Sequence, residues 1–268
     1  MVKFYLGKRR HIEEMKKPKQ TLITKLFGVL CGLIALFHLG SAGANQVVHV
    51  AVASNFLSTL KQLKSEFEQT YNQQILVSSG STGKLFAQIS HGAPYDIFLS
   101  ADDVRPQQLQ SLGLTHQNKA FTYAYGKLVV FHPNMTSSRF SLRELTNKDV
   151  EHIAIANPKL APYGLAAKNW LFDKGIWPAI SPKIVMGENI NQAMQYVKSG
   201  NAQIAIVALS MVQQEPVSGF TELDANDYQP IRQQGVLLTN KPIAAEFVDF
   251  LSSKAAQTII DQHGYGLP

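Results

Sequence analysis

Along most of the chain, short apolar runs alternate with segments whose apolar residues recur every three or four positions. Val47 to Ala53 is an almost continuous apolar run and reads as a buried strand. Phe56, Leu60, Leu63 and Phe67 then recur at helical spacing, with Lys61, Lys64, Glu66 and Glu68 on other faces, which predicts a helix over 56–71. The same reading gives a strand at 74–78, a helix at 83–91, a strand at 97–100 and a helix opened by Asp102 or Asp103 with Pro106 in its first turn. Tyr123 to His132 reads as the next strand. Strands at 152–156, 183–186 and 204–207 follow between helix-rich segments, then a returning strand at 230–238 and a closing helix at 243–263. Such alternation is the mark of an α/β protein whose mainly parallel sheets are flanked by helices. A single strand out and a single strand back imply two lobes joined by two crossings, near Ala124–Lys127 and Tyr228–Arg232.

Two of the strand-to-helix junctions are unusually rich in small polar residues. Ser54-Asn55 follows the first strand, and Ser79-Gly80-Ser81-Thr82-Gly83 follows the second. A helix start offers unpaired backbone N–H groups and a partial positive charge, so it suits a small anion. Ser, Thr and Asn there are also ordinary caps. Pro162-Tyr163-Gly164 and Glu188-Asn189-Ile190-Asn191 add two more junctions where helices should begin. In parallel sheets such junctions gather at the carboxyl ends of strands, where ligands bind. Two facing lobes would therefore place four turns around one cleft, with hydroxyls and no cation inside the first two.

The first 44 residues change the charge picture. Lys25, the apolar run Leu26 to Leu39 and the ending Ser41-Ala42-Gly43-Ala44 read as a secretory signal peptide cleaved after Ala44. The run is short and glycine-broken for a membrane span. Met15-Lys16-Lys17 would make a more usual start for such a leader than Met1. The leader holds 8 of the 25 basic and 2 of the 19 acidic residues, leaving 17 of each in the remainder. With no net charge, residues 45–268 lack the basic surface that nucleic-acid binding needs. The lone cysteine, Cys31, lies within the leader, so disulfides, thiolate catalysis and zinc–cysteine sites are excluded from the rest.

Enzyme signatures are scarce. His49, His91, His116, His132, His152 and His263 show no metal-ligand spacing, no G-x-S-x-G elbow occurs, and Gly80-Ser81-Thr82-Gly83-Lys84 does not meet the phosphate-loop pattern. Asp102-Asp103 reads more simply as a cap than as a catalytic pair. A periplasmic hydrolase would need paired carboxylates or a nucleophile with a base, and neither is displayed.

Four segments carry a resemblance. They are Val50-Ala51-Val52-Ala53-Ser54-Asn55-Phe56, Ser79-Gly80-Ser81-Thr82-Gly83-Lys84-Leu85, the stretch from Gly92-Ala93-Pro94-Tyr95-Asp96 to Ser100-Ala101-Asp102, and Asn157-Pro158 to Ala161-Pro162-Tyr163-Gly164. In order and spacing, from about 47 to 267, the chain resembles the periplasmic molybdate-binding proteins of ABC transporters. The resemblance implies a type II periplasmic-binding-protein fold, with the ligand in the interlobe cleft. Lobe 1 would comprise 45–125 and 230–268, and lobe 2 would comprise 126–229. It implies a monomer that captures tetrahedral molybdate or tungstate, uses no cofactor or protein–metal ligation, catalyses nothing and serves an inner-membrane permease. Carried over, Ser54 falls at the first hydroxyl contact with Asn55 beside it. Thr82 falls at the second, with Ser81 as the near alternative. Tyr163 sits at the A-P-Y-G turn, and Ile190 where the family offers a backbone N–H. Some members place a tyrosine donor where this chain has Ala208, and the phenol of Tyr163 is expected to replace it.

The ligand chemistry agrees with these residue types. Molybdate and tungstate are fully deprotonated at neutral pH and only accept hydrogen bonds, whereas phosphate keeps a proton and wants an acceptor as well. Asp96, Asp102 and Glu188 are expected to cap or orient rather than face the ligand. Another tetrahedral oxyanion, such as sulfate or thiosulfate, is the alternative. The ligand-sensing half of a transcription regulator would instead need a DNA-binding helix pair where the leader stands.

Overall fold

The computed structural model describes residues 47–117, 119–133, 140–213 and 219–268; the leader expectation falls outside them. Among the described residues, ten strands form two five-stranded sheets, ordered β2-β1-β3-β10-β4 and β7-β6-β8-β5-β9. The first contains β1 (Val47–Ala53), β2 (Gln74–Gly80), β3 (Ile97–Leu99), β4 (Ala120–Gly126) and β10 (Ile231–Leu237). The second contains β5 (Leu128–Phe131), β6 (Ile153–Ala156), β7 (Ile184–Gly187), β8 (Ile204–Ala208) and β9 (Phe220–Glu222). Both are mixed. β1 pairs in parallel with β2 and β3, and β6 with β7 and β8, while β10 and β5 run antiparallel to both of their neighbours.

The helices needed to position the site are α1 (Leu57–Tyr71), α2 (Thr82–Ser90), α3 (Val104–Ser111), α4 (Leu142–Thr146), α5 (Pro162–Asp173), α6 (Trp177–Ile180), α7 (Ile190–Lys198), α8 (Leu209–Val212), α9 (Pro242–Leu251) and α10 (Lys254–Gln262). α1 buries Leu60, Leu63 and Phe67 on the first sheet, where Phe67 meets Phe247 edge-on at 5.0 Å. Each such side chain contributes about 1.5–3 kcal/mol of burial. α1 ends where Asn72 takes a left-handed conformation (φ 51°) and returns its N–H to the Glu68 carbonyl. Over the second sheet, α5 and α7 bury Trp170, Leu171, Ile190, Met194 and Val197 against Ile153, Ile155, Ile204 and Ile206.

Two expectations need correction, and one strand was not foreseen. The run 123–132 is two strands, with β4 in the first sheet and β5 in the second; Lys127 lies between them. The apolar pattern continues across the change of sheet, so periodicity alone could not show it. The closing helix is broken at Ser252-Ser253. The Ser253 side chain accepts from the Ala256 N–H and starts a second helix, a capping signal that outweighs the continuing apolar spacing. β9, three residues long, carried no readable signal.

Asp96 locks one end of the first sheet. Its carboxylate accepts from the His49 N–H (2.8 Å), Lys241 Nζ (2.9 Å) and Thr239 Oγ1 (2.9 Å). Burial opposes its charge, but these three donors outweigh it and hold the carboxyl below the usual aspartate range.

Candidate functional site

The carboxyl ends of β1 and β2 and the starts of four helical segments converge on one small, tightly lined cavity. Its lining includes Ser54, Asn55, Ser81, Thr82, Tyr163 and Ile190, so all six candidate residues meet there. Every one of them is buried. Ser54 and Asn55 open the turn that leads into α1. Ser81 and Thr82 open α2, Tyr163 stands in the first turn of α5, and Ile190 is the first residue of α7. Ala53, Gly80, Ala101, Ala161 and Pro162 complete the wall, and no charged side chain lines it among the described residues.

The hydrogen bonds at these residues separate caps from free donors. Ser81 occupies the N-cap position of α2 yet makes no side-chain cap bond. Its hydroxyl is buried without any hydrogen-bond partner among the described residues, although buried polar groups are ordinarily satisfied. The Thr82 hydroxyl accepts from the Ala101 N–H at 3.2 Å, which leaves its own proton to be donated. The phenol of Tyr163 accepts from Gln233 Nε2 at 3.2 Å, and its proton likewise has no acceptor among the described residues. Burial pushes the Tyr163 pKa well above the ordinary tyrosine value, so the group is a neutral O–H at physiological pH.

Asn55 behaves differently. Its two side-chain amide protons go to Gln233 Oε1 (2.9 Å) and the Tyr265 hydroxyl (3.1 Å). Toward the cavity Asn55 can therefore offer only main chain. Ala208, at the end of β8, is fully buried and does not line the cavity. Its neighbour Ser210 donates instead to the Asn55 carbonyl at 3.3 Å.

The carboxylates near the site are engaged elsewhere. Asp102 accepts from the Arg105 N–H and from Ser100 Oγ and pairs with the Arg105 guanidinium. Glu188 pairs with Lys84 at 2.8 Å. Beside that pair the Gly83 N–H donates to the Leu160 carbonyl at 2.8 Å, so this N–H at the start of α2 bridges to the segment after β6. A β-carbon at Gly83 would lie 3.1 Å from that carbonyl oxygen.

Sequence reasoning missed Gln233, Tyr123 and Tyr265, which form a buried polar group behind the cavity. Gln233 has no solvent exposure, and its Oε1 faces Asn55 Nδ2 and the Tyr123 hydroxyl (3.1 Å). The strand register shifts between Gln233 and Gln234, which turns both consecutive side chains inward. No local signal singled them out: β10 also carries Arg232 and Gly235, so two adjacent glutamines read there as part of an ordinary strand.

The description "bacterial extracellular solute-binding protein" belongs to the family model that matches residues 48–266, nearly all of the described chain. The chain belongs to that family. It is a solute-binding protein rather than an enzyme, with the two-sheet α/β fold of its class. Among its relatives, the molybdate-binding protein ModA of Azotobacter vinelandii is 40% identical over 229 residues, covering 82% of this chain and 90% of the relative. ModA of Rhodobacter capsulatus is 34% identical, covering 84% and 89%. The solved structure of the Azotobacter vinelandii periplasmic molybdate-binding protein superposes with a TM-score of 0.78 over 82% of this chain and 99% of that one. The sulfate-binding protein SubI of Mycobacterium tuberculosis shares the fold alone, at 12% identity and a TM-score of 0.65.

Proposed function

We propose that this solute-binding protein captures molybdate, and tungstate with it, in the cavity between the two sheets and delivers it to an ABC permease from the periplasm. One observation carries the reading. Three buried hydroxyls, those of Ser81, Thr82 and Tyr163, bring protons without protein acceptors to a cavity that no carboxylate lines among the described residues. A cavity with donors and no charged acceptor suits an anion that carries no proton of its own. The first N–H groups of the surrounding helix starts, Ile190 included, supply further donors. The 40% identical relative is itself named as a molybdate-binding protein, which favours that oxyanion over sulfate or thiosulfate.

In this proposal the lobes comprise 45–125 with 230–268, and 126–229. They hinge at the two crossings and close as a monomer over the ligand after the leader has been removed. Ligand-driven closure of this kind then presents a distinct surface to the permease. The test is calorimetric titration of residues 45–268 with molybdate, tungstate, sulfate and phosphate. One-to-one binding of the first two, with the last two silent, is the expected result. Preferential binding of sulfate would overturn the ligand assignment, and binding of phosphate would overturn the donor-only character of the cavity.

A further inference from the structure

The turn between β6 and α5 is held from two sides by groups whose hydrogen-bonding sense is fixed. Within the turn, the Lys159 N–H donates to Asn157 Oδ1 at 3.0 Å, and the N–H groups of Leu160 and Ala161 donate to the Asn157 carbonyl at 3.0 and 2.9 Å. The ladder of α5 begins beyond them, with the Leu165 N–H on the Ala161 carbonyl at 3.0 Å. The carbonyls of Lys159 and Leu160 are thus left outside the helix, and donors from the first sheet's side take both. The Gly83 N–H of α2 donates to the Leu160 carbonyl at 2.8 Å, and Arg105 Nη2 of α3 donates to the Lys159 carbonyl at 3.3 Å. A main-chain N–H and a guanidinium only donate, and a main-chain carbonyl only accepts, so neither bond can be reversed.

Arg105 is built to hold that reach. One Asp102 carboxylate oxygen pairs with its guanidinium, and the other accepts from the Arg105 N–H at 3.1 Å and from Ser100 Oγ at 2.8 Å. The Asp102 carbonyl accepts from the Gln234 N–H of β10 at 3.3 Å, which ties the pair to the first sheet. The two side chains are 20% and 14% exposed, whereas those of Lys84 and Glu188, which also join the two sides, are 53% and 47% exposed. An ion pair as open as the second contributes little. A shielded guanidinium already oriented by its carboxylate gives up less freedom to form its next bond. A β-carbon on Gly83 would lie 3.5 Å from Arg105 Nη2, so the two donors close on one spot. Just beyond the clamped carbonyls, Ala161 and Tyr163 line the cavity; Arg105 itself lines only an open groove beside it.

We propose that Arg105 is a positioning residue that clamps the Lys159–Leu160 turn across the cleft and thereby slows release of the bound oxyanion. The inference rests on the proposed function, in which the ligand lies between two lobes that close over it. The Arg105 bond spans the two sides and forms only once they have come together. It therefore stabilises the closed state without aiding the first encounter, and its effect falls on dissociation.

The experiment measures molybdate association and dissociation rates by stopped-flow intrinsic fluorescence on the intact protein. Arg105→Met keeps the apolar stem and removes the donors. It is expected to speed dissociation about 5- to 30-fold, the effect of losing one charge-assisted hydrogen bond at a partly shielded site, with association within about 2-fold of wild type. Arg105→Lys keeps a cation for Asp102 but lacks the planar fork that serves both partners. It is expected to speed dissociation about 3- to 10-fold while leaving the melting temperature of the ligand-free protein within about 2 °C of wild type. This variant carries the test if Arg105→Met fails to fold. Both differences should persist at high salt, because the bond is short-range and shielded.

Unchanged dissociation in both variants would overturn the clamp while leaving the oxyanion reading intact. A loss confined to association, or one that vanishes at high salt, would make Arg105 a long-range charge and overturn the clamp as well. A lower melting temperature with both rates unchanged would assign Arg105 to the support of α3 alone, with the same consequence. Failure of the unmodified protein to bind molybdate would instead remove the proposed function on which the inference rests.

Discussion

Replacing Ser81 by alanine is expected to move stability and affinity in opposite directions. The hydroxyl is buried, with the residue only 2% exposed, and it has no protein partner among the described residues. A buried polar group left unsatisfied costs about 1–3 kcal/mol. Removing it from the ligand-free protein should relieve part of that cost, about 1 kcal/mol, because the oxygen's volume is lost as well. For a chain of this size that raises the melting temperature by about 2–4 °C. With molybdate bound, the same hydroxyl would donate to a doubly charged oxyanion, a bond in the range of about 1.5–3 kcal/mol. Its loss should weaken binding about 10- to 100-fold. Thermal unfolding without ligand gives the first quantity and calorimetric titration gives the second. A purely structural serine would give the opposite pair of results: a lower melting temperature and an unchanged dissociation constant. That outcome would refute the argument that the missing partner of Ser81 is the ligand.

Other expectations follow from neighbouring features. Gly83→Ala must fit a β-carbon 3.1 Å from the Leu160 carbonyl oxygen, so it should loosen the contact across the cleft and raise the ligand off-rate several-fold, measured by stopped-flow displacement. Lys61 lines an open basin that shares Ser54 and Asn55 with the cavity. Lys61→Met should slow association about 2- to 5-fold at low salt and leave dissociation unchanged, with the difference vanishing as salt screens the charge. Asp96→Asn should destabilise the protein by about 2 kcal/mol near neutral pH, because it weakens three charge-assisted bonds. The Asp96 pKa is depressed by folding, so its contribution is present above the unfolded aspartate value and is lost as pH falls through the folded value. Chemical denaturation of wild type and variant should accordingly converge below about pH 4. Molybdate affinity itself should stay flat over about pH 6–9, since Tyr163 is held neutral by burial and no charged side chain lines the cavity among the described residues.

Much of the architecture was readable because it is written in local patterns. β1 was bounded at Val47 and Ala53 by its apolar run, and α1 by the spacing of Leu60, Leu63 and Phe67. Ser54, Asn55, Ser81 and Thr82 stood out because hydroxyls and amides cluster where strands turn into helices. Tyr163 and Ile190 were legible only in part: the pattern placed both in junctions where helices begin, but the resemblance of whole segments was needed to single out these two residues. Gln233 and Tyr265 lay beyond either route. Each lies more than 170 residues from Asn55 in sequence, and their roles exist only once β10 and the C-terminal residues have folded back. The change of sheet at Lys127 escaped for a related reason, since the residues on both sides are equally apolar and equally suited to strands.

The arrangement of charge explains why the neutral donors around the cavity matter. Around the cavity the ionised side chains are engaged in pairs, Lys84 with Glu188 and Arg105 with Asp102, and none of them lines it. A dianion entering there leaves water without meeting a full positive charge, so its desolvation is offset only by dipoles and hydroxyl protons. Under those terms each donor counts, and a single group presenting a lone pair costs twice, once as a missing bond and once as a repulsion. A flexible hydroxyl such as Ser81 can rotate its proton to the ligand at will. A phenol packed against Gly126 has less freedom of position, so its place at the cavity is set by the residues behind it.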